Sequence, residues 1–135
     1  MPRIYILATF LAVSLCACKE PTSPAQAAAA EMPFALPGVS LSVTQSSETC
    51  QPTGAYRATV AWEVPANLAS RLEVQVDATE RKHFVRSTQR TGQHQTGEWV
   101  SKGLAFFLVD RETDRLLAAT TARAGDCGMP DAIIR

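Results

Sequence analysis

Few residues in this chain are of a type and spacing that could do chemistry. Two histidines, His83 and His94, are the only imidazoles. Neither has a Cys, Asp or Glu at metal-ligand spacing, and His94 lies between glutamines in a turn-rich stretch, so both read as solvated side chains rather than ligands. A Ser-His-Asp set can be assembled from scattered positions, as in almost any chain, but no nucleophile elbow or glycine-rich phosphate cradle is present. No catalytic residue, metal or cofactor is therefore expected.

A denser feature is basic. Arg81, Lys82, Arg86 and Arg90 fall within 81–90 without one acid among them. Two readings compete. Lys and Arg on an exposed edge strand deter the addition of a foreign strand; alternatively they form a patch for an acidic protein, an anionic lipid or a saccharide. The chain as a whole balances 13 basic against 13 acidic residues. That balance removes the long-range attraction a nucleic-acid binder needs, so no nucleic acid is expected as partner.

The elements that must position these residues are strands. In Ala55 to Pro65, Tyr56, Ala58, Val60 and Trp62 alternate with Arg57, Thr59, Ala61 and Glu63, the pattern of a half-buried antiparallel strand with Trp62 as its anchor. Val39 to Thr44 and Arg71 to Asp77 alternate in the same way, with Val39, Leu41, Val43 and then Leu72, Val74, Val76 facing in. Residues 81–87 form a weaker strand with Phe84 inward. Thr91-Gly92 and Thr96-Gly97 read as a loop, after which Trp99 starts a short strand. Leu104 to Val109 is apolar on both faces, as in a central strand, Arg111 to Asp114 is a hairpin turn, and Leu116 to Ala122 closes the set. Seven strands with no helical periodicity imply an all-β sandwich.

Ahead of that domain, one positive residue, Arg3, precedes an apolar run from Ile4 to Leu15, the length of a signal segment and too short to cross ~30 Å of hydrocarbon. Leu15-Cys16-Ala17-Cys18 resembles a bacterial lipobox. Cleavage before Cys18 places small Ala17 at the position signal peptidases require, which makes Cys18 the lipidated residue implied by the resemblance. Lys19 after it, in place of Asp, is similar to an outer-membrane sorting signal of Gram-negative lipoproteins. Prolines, Thr22, Ser23 and an alanine run follow without alternation, as in a flexible tether. The expected organisation is a signal peptide over 1–17, a lipidated cysteine and tether over 18–38, and a sandwich over 39–135.

ATVAWEVPAN, residues 58–67, resembles the second strand of a fibronectin type III or related immunoglobulin-like domain, and WVSKGLAFFLVD, residues 99–110, is similar to the approach to its sixth strand. That alignment implies Phe106 and Leu108 inward and Phe107 and Val109 outward. The outward pair is then either covered by a neighbouring segment, for which the C-terminal Ile133-Ile134 is a candidate, or an exposed apolar patch for association. The same resemblance brings the loop after the first strand and the end of the last strand to one pole, so Cys50 and Cys127 are expected as a disulfide in an oxidising envelope.

Two functions fit this address. The first is a non-catalytic, lipid-anchored binding or assembly module of the bacterial cell envelope, at the outer membrane facing the periplasm, with a protein partner. The second is a periplasmic inhibitor or immunity lipoprotein that neutralises a toxic hydrolase.

Overall fold

The computed structural model describes residues 32–127. Cys18, the expected leader, most of the expected tether and Ile133-Ile134 lie outside the described residues. The described chain is all-β and contains no helix. Its strands are β1 (Phe34–Ala35), β2 (Ser40–Gln45), β3 (Ala58–Glu63), β4 (Leu72–Val76), β5 (Lys82–Ser87), β6 (Thr91–Gln95), β7 (Ala105–Asp110) and β8 (Leu116–Thr121). They form a five-stranded sheet of order β1-β8-β7-β4-β5 and a three-stranded sheet of order β2-β3-β6. Among the described residues every strand pairing is antiparallel.

The alternation read in β3 and β4 is the alternation the fold uses. Ala58, Val60 and Trp62 from the smaller sheet meet Leu72, Val74, Phe106, Leu108 and Leu117 from the larger one in a single buried cluster. Burying apolar side chains from both inner faces is what holds two sheets together, at about 25 cal/mol per Å² removed from water. Trp62 is 5% exposed, and its indole N–H donates to the Gln89 carbonyl at 2.9 Å. Its ring lies over Gly92, the residue opposite it on β6; a Cβ there would come within 2.6 Å of the indole.

Three expectations need correction. Thr91 to Gln95 is strand β6 rather than loop, paired along its length with β3. It carries no apolar side chain because one inward position is Gly92 under Trp62 and the other is His94. The strands thus number eight rather than seven, since β1 also forms within the segment expected as tether: Phe34 and Ala35 pair with Ala119 and Ala118. Finally, Trp99 begins no strand; only Val100 bridges, exchanging backbone hydrogen bonds with Tyr56 at 2.9 and 3.1 Å.

Cys50 and Cys127 are joined, as expected, across a sequence separation of 77. The segment leading to this bridge is fastened independently. The Gln45 side chain donates to the Asp126 carbonyl at 2.8 Å and accepts from the Asp126 N–H at 2.7 Å, mimicking a backbone pairing. Tyr56 donates its hydroxyl to the Arg123 carbonyl at 2.6 Å, and burial pushes the phenol pKa above its ordinary value.

Candidate interaction surface

Phe107 and Val109 do face away from the main core, yet both are fully buried, which overturns them as a partner surface. They form a second apolar cluster with Ala105, Leu116 and Ala119, covered by Phe34, Met32 and Ala78. The cover is the N-terminal segment: Phe34 sits opposite Ala119, and Ala119 opposite Phe107, so the three lie in one row across the outer face.

Three of the four basic residues of 81–90 are paired with acids. Arg81 has a positive φ of 46° in the β4–β5 turn, where its N–H donates to the Asp77 carbonyl at 2.7 Å. From there its guanidinium donates to Gln75 Oε1 at 2.8 Å and lies 3.4 Å from Asp114 in the β7–β8 turn. Those two turns follow opposite ends of the paired strands β4 and β7, so this contact spans the outer face of the larger sheet. Lys82 pairs with Glu80 at 3.0 Å. Arg86 and His83 both reach Glu73, at 3.4 and 2.7 Å. Burial raises the Glu73 pKa, but hydrogen bonds from Gln75, His83 and Arg86 and the Arg86 charge outweigh it and hold the carboxyl below its ordinary value. Glu73 on β4 is the acid that local sequence could not associate with β5; only strand pairing, Glu73 opposite Arg86, brings them together. Arg90 remains an exposed residue just ahead of β6. Among the described residues, no group of three or more His, Cys, Asp or Glu is placed to hold a metal ion.

A different surface emerges where β5 and β6, the adjoining edges of the two sheets, approach each other. His94 projects inward from β6 and meets Phe84 of β5 edge to face, with centroids 5.3 Å apart. Trp99 joins them, edge-on to Phe84 at 5.6 Å and stacked on Phe106 at 6.4 Å. Its ring lies over Gly97, where a Cβ would meet the indole at 2.8 Å. Among the described residues Trp99 is the one large apolar side chain left exposed, at 42%.

The loop carrying Trp99 is anchored on both sides. Before it, buried Thr96 accepts from the Ala58 N–H at 2.9 Å and donates to the Gly97 carbonyl at 2.7 Å. After it, Val100 is locked to Tyr56. Glu98, adjacent to Trp99, accepts from Gln51 and lies 3.8 Å from Arg57, which gives the aromatic surface a polar rim. An amphipathic ring fixed in place, half in solvent and rimmed by polar groups, is suited to bury against a partner at low entropic cost. In the sequence Trp99 reads only as a strand start; the signal that marks it is a tryptophan between turn glycines, Gly97 and Gly103.

Elsewhere, a groove of about 510 Å³ runs between β2 and β8, lined by Leu41, Val43, Tyr56, Thr120 and Thr121 and bounded by Asp126. Compared with known proteins, the chain matches no family model, no curated protein and no solved structure.

Proposed function

We propose that this chain is a non-catalytic, lipid-anchored binding module of the bacterial cell envelope, held through Cys18 at the outer membrane and presenting an immunoglobulin-like or fibronectin type III-like domain to a protein partner. The observation that carries the binding role is Trp99, exposed yet fixed between two anchored backbone positions beside Phe84 and His94. The division of β2, β3 and β6 into one sheet and β4, β7 and β8 into the other supports the immunoglobulin-like reading, since that fold groups its first, second and fifth strands against its third, sixth and seventh. The lipobox-like Leu15 to Cys18 supports the address.

The test joins address and surface. Membrane fractions from cells carrying wild-type protein, Cys18→Ser and Trp99→Ala are resolved as native complexes. The proposal expects Cys18→Ser to leave the processed membrane fraction, and Trp99→Ala to stay there while losing its co-migrating partner. Unchanged anchoring without Cys18, or an unchanged complex without Trp99, would overturn the corresponding half.

A further inference from the structure

We infer that the β6 edge pairs with the β6 edge of a second copy of this chain, joining two three-stranded sheets into one continuous sheet. This rests on the reading of the β6–Trp99 region as the binding surface and names the partner for its strand.

Hydrogen-bond alternation shows which backbone groups are available. Thr96 N–H donates to the Ala58 carbonyl and Val64 N–H to the Arg90 carbonyl, both at 2.8 Å. These pairs share the register that sets His94 opposite Val60 and Gly92 opposite Trp62. In an antiparallel ladder, bonded and non-bonded pairs alternate, so His94 and Gly92 point their N–H and C=O groups at β3. Thr91, Gln93 and Gln95 then point theirs away from the sheet. Four of the five β6 residues are exposed.

The protein's sheet edges are not equivalent. β5 carries Lys82, His83 and Arg86 and opposes a register shift at Val74/Gln75, features that discourage strand addition. β1 is only two residues long. β2 faces β8 across the groove and is clasped at its end by Asp126. β6 has no Lys, Arg, Asp, Glu or Pro, and no bulge interrupts its pairing with β3.

Charge selects the occupant. An uncharged edge gives a charged peptide no attraction, whereas two copies of a chain with 13 basic and 13 acidic residues meet without net repulsion. The edge is also self-complementary. A two-fold axis at Gln93 sets Gln93 opposite its own copy and Thr91 opposite Gln95, so all three outward-pointing residues exchange backbone hydrogen bonds. The same axis sets His94 opposite Gly92, which has no side chain to obstruct the imidazole. The contact is short, which places it with weak, concentration-dependent associations of isologous symmetry.

The test uses the full chain in detergent with Cys16→Ser and Cys18→Ser, so that an introduced thiol is the one thiol outside the Cys50–Cys127 bridge. At the axis, facing Cα atoms of a bonded pair lie about 5.5 Å apart, within disulfide range. Gln93→Cys should therefore form a covalent dimer under mild oxidation at least about tenfold faster than Thr44→Cys, which lies on the same sheet face but on β2. Gln93→Lys places like charges at the axis and should shift sedimentation toward monomer, while Thr44→Lys should not. Equal cross-linking at positions 93 and 44, or sedimentation indifferent to Gln93→Lys, would overturn the pairing. If partner association through Trp99 persists under those results, the binding-module reading stands and only the self-pairing falls.

Discussion

Arg81 and Asp114, 3.4 Å apart, tie the two turns at opposite ends of β4 and β7 across the outer face of the larger sheet. Both sit in the left-handed backbone region, at φ 46° and 55°. Arg81 is therefore part of the covering of that face, and its side chain is only 20% exposed. Together with the Lys82–Glu80 and Arg86–Glu73 pairs, the contact gives three of the four charges of this basic run an acidic neighbour.

The buried outer face gives the first prediction. Phe107→Ala should destabilise the domain by ~3 to 5 kcal/mol, the cost of removing a large core side chain and leaving a cavity, whereas Lys82→Ala on the neighbouring edge should change stability little. Urea unfolding of both variants checks this. Similar small effects would mean that Phe107 is not covered by Phe34 and Met32.

Packing around Trp62 gives the second. Trp62→Ala should likewise cost ~3 to 5 kcal/mol, and Thr59→Ala on the opposite face should be nearly neutral. Gly92→Ala should be damaging despite its small size, because the added Cβ meets the indole at 2.6 Å. The double variant Gly92→Ala with Trp62→Phe should recover part of that loss, read as a coupling between the two positions in denaturant midpoints.

The third prediction concerns the bridge. The oxidised domain should show no titratable thiol from Cys50 or Cys127 after denaturation without reductant. The chain-entropy account of a closed loop this long gives roughly 4 to 5 kcal/mol of stabilisation. Cys50→Ala with Cys127→Ala should lower stability in that direction. The Gln45 clasp on Asp126 should keep part of the C-terminal segment in place, visible as residual amide protection.

Acid dependence gives the fourth. Because the folded-state pKa of Glu73 is lowered, its contribution is complete above the unfolded-state pKa and is lost as pH falls through the folded one, so folding stability should decline from about pH 4.3 downward. Glu73→Gln should flatten that acid limb. An unchanged limb would mean that His83 and Arg86 do not engage the carboxylate.

What could be read from the chain was whatever alternation encodes. β3 and β4 show strict period-2 burial, and β7, apolar throughout, is buried throughout. β6 was not legible because its inward positions are a glycine roofed by Trp62 and a histidine against Phe84, neither of which registers as apolar. β1 was hidden by its length and by flanking prolines. The fate of Phe107 depended on Phe34, some seventy positions earlier, and the neutralisation of β5 on Glu73 across a strand pairing; both are relations of register, to which local composition is blind. Trp99 was visible as a residue, but its exposure follows from the anchoring of Thr96 and Val100 on either side.

The central claim, that this domain binds through the Trp99 surface at the β6 edge, is tested most directly by site-specific photo-cross-linking in living cells. A photoreactive residue at position 99 should give a discrete adduct, while the same residue at position 111, in the exposed β7–β8 turn, should give none. No adduct at position 99, or equal yields at both positions, would contradict the account.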